Sequence, residues 1–174
     1  VLFGDYNPGG KLPITFPRHS GQFPYYYNHS ATKKGAKYVD MPATPLYEFG
    51  FGLSYTKFDY SNLSINPKEQ NADGSIEIAC DVKNTGSRKG DEVAQLYIND
   101  IISTTSKPVI ELKGYERITL EPGETKRVKF KLLPEDIALF DRSMNFVVEP
   151  GTFEVMVGSS SKDIRLNGSF EIKK

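Results

Sequence analysis

The sequence lacks tryptophan, has a single cysteine, Cys80, and shows no excess of charge, because 22 basic residues are balanced by 22 acidic ones. A lone cysteine excludes an internal disulfide framework, and its place in an alternating segment predicts a buried, inert thiol. Balanced and scattered charge offers no basic surface for nucleic acid, so no nucleic-acid partner is expected. The chain also lacks a run of about 18 apolar residues, and we expect no membrane span.

The N-terminus has neither an initiator methionine nor the basic and apolar regions of a signal peptide. A length of 174 residues corresponds to one domain, or to one domain with a sizeable attachment. We therefore expect the chain to be a piece of something longer.

Aromatic residues are concentrated at the front of the chain, where 14 of the 21 Phe and Tyr residues lie in the first 60 positions. This region has no helical periodicity, and proline and glycine separate its short apolar runs. We predict short strands within residues 12–16 and 22–29, and a solvated loop from Ser30 to Val39. Because such a segment cannot bury a core by itself, its rings must face another surface, which we expect to be polypeptide that precedes Val1.

Residues 45–56 alternate aromatic and small side chains and include Gly50 and Gly52. Glycine permits a positive φ or a close approach of the backbone to a neighbouring surface. We interpret this stretch as the seam between two structural units. An ordinary aromatic-rich turn that enters a strand is the alternative.

From residue 57 onwards the pattern is that of half-buried strands. Apolar residues alternate with polar ones within residues 76–82, 94–98, 128–132, 153–157 and 164–172. A short helical turn is predicted after Leu133, and each Glu-Pro-Gly turn, at 121–123 and 149–151, predicts a glycine with positive φ. The fold class is therefore mainly β, an antiparallel immunoglobulin or fibronectin type III-like sandwich preceded by an irregular aromatic-rich arm. A barrel is the alternative, and only the sandwich is expected to fold alone.

Together these stretches resemble the C-terminal end of glycoside hydrolase family 3 enzymes, in particular the bacterial periplasmic β-glucosidase type. The resemblance runs in order along nearly the whole chain. It is carried by Tyr26-Tyr27-Asn28-His29 and by residues 7–17, 45–56, 82–86, 90–97, 111–115, 120–124 and 150–153.

The resemblance implies that residues 1–56 are the C-terminal tail of an α/β-sandwich domain and that residues 57–174 are a fibronectin type III-like domain. It implies a parent that hydrolyses terminal β-linked sugars of a β-glucoside or oligosaccharide with retention, without a cofactor, in the periplasm or outside the cell. The partner of this chain would then be the remainder of the parent, its barrel and α/β-sandwich domains.

No catalytic residue is expected in this chain. Retention requires two carboxyl groups about 5–5.5 Å apart, and in the family both precede the stretches matched here. The front part contains only Asp5, Asp40 and Glu48 as acids, and none lies in a matching context. The chain would thus be a non-catalytic portion that stabilises the catalytic domains.

Tyr26, Tyr27, Asn28 and His29 are candidates for the rim of a sugar site, because aromatic faces and amides suit sugar rings and hydroxyls. Packing between domains is the alternative use of these side chains. No metal site is predicted, since the two histidines lie on loop-like sequence without a cluster of other ligands.

A second hypothesis is an independent β-sandwich that binds carbohydrate or mediates adhesion. Such a module would need an exposed aromatic platform on the sandwich itself. Tyr97 and Tyr115 are the only tyrosines beyond Tyr60, so few tyrosine rings are available for such a platform.

Overall fold

The alternating residues build two facing β-sheets, which a computed structural model describes over residues 1–30 and 40–173. Except for Ser30, the predicted loop from Ser30 to Val39 lies outside the described residues. No helix within these two ranges is long and apolar enough to cross a membrane. The elements in chain order are a 3-10 turn (Ser20–Gln22), β1 (Phe58–Asn66), β2 (Glu69–Gln70), β3 (Ile76–Asn84), β4 (Gly90–Asp100), β5 (Glu111–Leu120), β6 (Thr125–Leu132), α1 (Pro134–Ile137), β7 (Leu139–Phe140), β8 (Phe146–Val147), β9 (Gly151–Gly158) and β10 (Ile164–Ile172).

One sheet has the strand order β1-β3-β6 and the other the order β2-β10-β9-β4-β5, while β7 and β8 form a separate hairpin. The long strands pair antiparallel, and the two-residue β2 pairs in parallel with β10. Alternate residues of both sheets point inward and form one buried cluster, which confirms the predicted sandwich. Its members include Ile76, Ile78, Cys80, Val82, Ala94, Leu96, Ile98, Val128, Phe130, Leu132, Phe153, Val155, Val157, Phe170 and Ile172.

The strand predictions succeed where the alternation is uninterrupted and fail at β1. The five alternating stretches predicted as strands lie in β3, β4, β6, β9 and β10. In β1 a β-bulge surrounds Asn62, whose φ is 53°. The inward residues Phe58 and Tyr60 are therefore followed, out of phase, by Leu63 and Ile65. This change of phase hides the strand from a search for strict alternation.

The two Glu-Pro-Gly turns differ. Gly123 has a φ of 81°, as predicted. The same prediction is wrong for Gly151, because its φ lies outside the left-handed region. Gly151 pairs with Ile172 as the first residue of β9, and this pairing requires extended backbone.

The strands predicted in the front part do not form. Phe16 makes only an isolated bridge to Tyr47, although Leu12 N also donates to Phe51 O at 2.8 Å. Pro13 has no N–H, which prevents a continuous ladder here. The strand predicted within residues 22–29 is also wrong, because the chain forms a 3-10 turn that ends at Gln22 and no strand follows it there.

Cys80 lies on β3 in the core and is fully buried, as predicted. Burial raises the pKa of its thiol to about 11. The thiol is therefore protonated at neutral pH and packs as a small apolar group.

Asn84, at the end of β3, is fully buried, and its amide joins separate segments of the chain. Its Oδ1 accepts hydrogen bonds from Thr56 Oγ1 at 2.6 Å and from Gly86 N at 3.1 Å. Its Nδ2 donates to Arg88 O at 2.8 Å and to Leu120 O at 3.1 Å. The amide thus links the segment before β1, the β3–β4 turn and the end of β5, with every donor and acceptor used.

Replacing Asn84 by leucine should lower the free energy of unfolding by at least about 3 kcal/mol, because several buried partners each lose a bond at a cost of about 1–3 kcal/mol. Urea unfolding measures this loss. Thr85→Ala, a change at the exposed neighbour, is the control and should alter stability by less than about 0.5 kcal/mol. Equal effects of the two changes would show that the amide network does not stabilise the fold.

Candidate functional site

Residues 1–56 are called the arm below, and its described parts, residues 1–30 and 40–56, contact the outer face of the five-stranded sheet. Alternation along β4 directs Ala94 and Leu96 into the core and Gln95 and Tyr97 to the opposite face. Side chains on an outer face are ordinarily exposed, yet Gln95 and Tyr97 are only 3% and 0% exposed. Arm residues cover them, and we call this contact the junction.

Gln95 is the polar centre of the junction. Its Nε2 donates to Gly50 O at 3.2 Å and to Ser159 O at 2.6 Å, and its Oε1 accepts from the Tyr97 hydroxyl at 2.5 Å. Gly50 has a φ of 80°, and a Cβ at this position would overlap the Gln95 amide. Glycine therefore lets the arm backbone approach until the amide can bond to it, as the interpretation of residues 45–56 as a seam requires.

Aromatic packing surrounds this polar centre. The Tyr27 ring stacks on Phe49 with centroids 4.1 Å apart and meets Tyr97 edge-on at 6.2 Å. The Tyr27 hydroxyl also accepts a hydrogen bond from Leu112 N of β5 at 3.2 Å. Burial, followed by the nearby Tyr27 and Glu48, raises the pKa of Tyr97. The rings are thus part of the packing between the arm and the sandwich.

Charged side chains of the arm find partners on the sandwich. Lys11 Nζ lies 2.9 Å from Glu92 Oε1, and the two side chains are 15% and 7% exposed. Glu48 Oε1 accepts a hydrogen bond from Ser160 Oγ at 3.0 Å. A largely buried ion pair adds little net stability, but the loss of one partner is costly, so this pair fixes where the arm sits.

A cavity of about 330 Å³ lies beside the Lys11–Glu92 pair, between the arm, β1, β4 and the β9–β10 turn. The Tyr60 hydroxyl is buried there and has no hydrogen-bond partner among the described residues. Burial, followed by the Glu92 carboxylate, raises the pKa of Tyr60. The cavity is therefore lined by charged side chains and a buried hydroxyl, a set that can bind polar groups.

The turn at the start of the arm also contacts the sandwich. Asn7 Oδ1 accepts from Tyr55 N at 2.7 Å, and Asn7 Nδ2 donates to Lys89 O at 2.9 Å. A Cβ on Gly9 would lie 2.6 Å from Asp91 Cβ. The Asn-Pro-Gly-Gly sequence thus serves a close approach between two backbones.

The other side of the arm presents an apolar groove of about 480 Å³. Leu53 is 71% exposed at this groove, and Leu2 and Phe3, at the start of the arm, are each 92% exposed. The groove is lined by Val1, Pro8, Gly10, Leu12, Phe16, Tyr47, Phe51, Gly52 and Leu53. Exposed apolar surface on this scale is typical of a surface that another polypeptide covers.

The structure separates the four residues predicted for a sugar rim. Tyr27 is packed in the junction, as described above. Tyr26 is 64% exposed, and Asn28 and His29 are exposed beside it. His29 O accepts a hydrogen bond from Val109 N at 3.0 Å, which places this segment beside the β4–β5 loop.

The three acids of the arm lie in different surroundings. Asp5 and Asp40 are exposed, whereas Glu48 is bonded to Ser160. Over residues 1–30 and 40–173, no group of three or more His, Cys, Asp or Glu side chains could hold a metal ion.

The sequence analysis missed Gln95 and Ser160 as junction residues. Gln95 occupies an outward strand position and Ser160 a serine-rich turn, and both are places where polar residues ordinarily meet water. The one signal was Tyr97, which shares the outward face with Gln95, since a large ring there needs a surface to pack on.

The closeness of the junction can be tested at Gly50. Gly50→Ala should cost about 1–3 kcal/mol of unfolding free energy, because it adds a side chain at positive φ and displaces the buried Gln95 amide. Gly10→Ala is the matched control, since nothing lies within 4 Å of a Cβ there and its φ is not positive. If both variants unfold at the same urea concentration, the arm does not contact β4 as described.

Two domain families match this sequence. Residues 1–55 match the glycosyl hydrolase family 3 C-terminal domain, and residues 92–161 match a fibronectin type III-like domain.

Among similar proteins, the chain is 43% identical to a periplasmic beta-glucosidase of Salmonella typhimurium, over 99% of this chain and 24% of that protein. It is 42% identical to a putative beta-xylosidase of Formosa agariphila, over 100% of this chain and 23% of that protein. Among solved structures, a beta-glucosidase from Listeria innocua in complex with glucose superposes with a TM-score of 0.92 at 38% identity, over 99% of this chain and 25% of that one. The chain thus spans about a quarter of the length of these relatives.

Proposed function

Because the chain belongs to glycoside hydrolase family 3, we propose that it is the non-catalytic C-terminal portion of a retaining β-glycosidase, a β-glucosidase acting on terminal β-linked sugars. The observation that carries this proposal is the exposed apolar groove on a segment that matches the family's C-terminal domain. In this proposal residues 1–56 complete an α/β-sandwich domain and residues 57–174 form the fibronectin type III-like domain. About three quarters of the length of the relatives lies outside the match, which supplies polypeptide to cover the groove.

The role of this portion is to stabilise the catalytic domains. The arm has two faces, one bonded to β4 through Gln95 and the other apolar and exposed. A segment of this kind joins the sandwich to whatever covers the groove. We also propose a periplasmic or secreted location, in line with the named Salmonella relative, which fractionation of cells would test.

An independent carbohydrate-binding or adhesion module is not favoured by these comparisons. Tyr97, one of the two tyrosines available for a platform, is fully buried under the arm. Tyr115 is 70% exposed but has no second tyrosine beside it on β5.

The first test uses an aryl β-glucoside. The 174-residue chain should release no aglycone, because it contributes neither carboxyl group of the retaining mechanism. The full-length parent should hydrolyse the same substrate. Turnover by the chain alone would show that it contains a catalytic pair and would overturn the proposal.

The groove is tested in the same parent by Leu53→Asp, since a charge buried without a partner is strongly destabilising. The parent variant should inactivate at a lower temperature. In the 174-residue chain, where Leu53 is 71% exposed, the same change should alter unfolding by less than about 0.5 kcal/mol. Lys131→Ser, on the exposed face of β6, is the control and should leave the parent's inactivation temperature unchanged. An unaffected Leu53→Asp parent would mean that the groove is not covered.

We further propose that Tyr26, Asn28 and His29 border the substrate entrance of the parent, with Tyr27 holding the segment in place. In the parent, Tyr26→Ala should raise KM for a disaccharide substrate at unchanged kcat, because it removes only binding that ground and transition states share. Tyr27→Phe, which keeps the stacked ring, should leave KM unchanged. If KM is also unchanged in Tyr26→Ala, the alternative role in packing between domains is supported instead.

A further inference from the structure

The exposed large apolar residues of the sandwich are clustered. Seven such residues lie beyond residue 58 in the described part of the chain. Two of them lie elsewhere, Tyr115 on β5 and Leu133 directly after β6. The other five follow β4 or lie in the β7–β8 hairpin. They are Ile101 (54% exposed), Ile102 (80%), Phe140 (56%), Met144 (74%) and Phe146 (54%), and we call them the hairpin patch.

The two segments that carry the hairpin patch are in contact. Thr105 Oγ1, in the β4–β5 loop, donates to Phe140 O at 3.4 Å, and Thr104 N donates to Glu149 Oε2 at 2.9 Å. The Phe140 and Phe146 rings lie 5.0 Å apart on the β7–β8 hairpin. The patch is therefore one surface built from a loop and the adjacent hairpin.

The hairpin holds its rings outward through an ordered turn. Asp141 Oδ1 accepts from Ser143 N at 2.8 Å and from Asn145 N at 2.9 Å, and Asn145 Nδ2 donates to Asp141 Oδ2 at 3.1 Å. The bonds from Asn145, together with the Ser143 N–H, lower the pKa of Asp141. A surface that is already ordered loses little conformational entropy when a partner binds it.

We propose that the hairpin patch is a second docking surface for the part of the parent enzyme that lies outside this chain. This inference rests on the proposed function and adds a contact away from the groove. About three quarters of the length of the relatives lies outside the match, so the occupant is available within the same protein. A single body that covers both surfaces would fix the sandwich at two places.

The loop that carries part of the hairpin patch also contacts the arm. Val109 N, in the β4–β5 loop, donates to His29 O at 3.0 Å, and Ser30 forms an isolated bridge with Pro108. The loop therefore connects the Tyr26–His29 segment to the Phe140 hairpin.

The composition of the patch favours protein over sugar. Three of its five members, Ile101, Ile102 and Met144, are aliphatic, and an exposed apolar surface of this kind is typical of contacts with protein. Sugar platforms pair aromatic rings with free hydrogen-bonding groups. Here the Asp141 and Asn145 groups beside the rings are used within the hairpin turn.

Hydrogen exchange of the 174-residue chain and of the full-length parent tests the proposal. The exchange rates of the amides of residues 139–147 should be at least about tenfold lower in the parent than in the 174-residue chain. Residues 12–16 report on the groove in the same experiment. The exposed turn at residues 71–74 is the control and should exchange equally in both.

The outcomes separate the two proposals. Slowed exchange in both regions supports both docking surfaces. Slowing at residues 12–16 alone overturns the hairpin proposal and leaves the proposed function intact, whereas slowing in neither region counts against both. Slowing at residues 139–147 that appears in the 174-residue chain as its concentration rises would identify a second copy as the occupant and would overturn the proposal.

A double variant provides the second readout. In the parent, Phe140→Ser with Phe146→Ser should remove most of the tenfold slowing at residues 139–147, and Lys131→Ser should not. Because both rings are exposed in the chain, the double variant should still fold. Slowing that persists in the double variant would show that the rings are not part of the contact.

Discussion

The burial of Gln95 on the outer face of β4 is the constraint on which the arrangement of the arm depends. An amide removed from water costs free energy unless all its groups are bonded. The bonds of Gln95 go to Gly50 O, Ser159 O and the Tyr97 hydroxyl, so the arm backbone must lie within hydrogen-bonding distance of the strand. The positive φ of Gly50 follows from this requirement. The arm is irregular because it follows the shape of a sheet face instead of building a core of its own.

The dependence between the arm and the sandwich is unequal. Without the arm, water would hydrate Gln95 and Tyr97, and the inward residues of both sheets would still bury one another. Without the sandwich, the arm would lose the Tyr27–Tyr97 ring contact, the bond between Gly50 O and Gln95, and the Lys11–Glu92 pair. This asymmetry agrees with the expectation that residues 57–174 can fold alone, which stays a prediction.

Sequence patterns predict the sandwich better than the site, for a physical reason. The strand backbone directs successive side chains to opposite faces, so an undisturbed strand such as β3 or β9 is recognisable from its alternating apolar and polar residues. The bulge at Asn62 shifts this alternation by one residue within β1, and the strand is therefore not recognised. Alternation also predicts which side chains point away from the core, but it does not predict whether another segment covers them. Gln95 therefore has the pattern of a solvent-facing residue although it is 3% exposed. The glycines of residues 45–56 did indicate that the backbone of the arm approaches a neighbouring surface closely. A Cβ at Gly50 would overlap the Gln95 amide, and one at Gly52 would overlap Gly10 O.

Charged side chains cover the outer face of the β1-β3-β6 sheet. On the β1-β3-β6 sheet, Arg127 Nη1 lies 3.0 Å from Asp81 Oδ1 and Lys129 Nζ lies 3.4 Å from Glu77 Oε1. Exposed pairs of this kind add only about 0–1 kcal/mol each. Their larger effect is to hinder pairing at the β6 edge, since lysines and arginines along an edge strand disfavour the addition of another strand. The bulge at Asn62 does the same for β1 at the opposite edge. With both edges protected and its face charged, this sheet is poorly suited to apolar contact with another polypeptide, in agreement with the two docking surfaces proposed above.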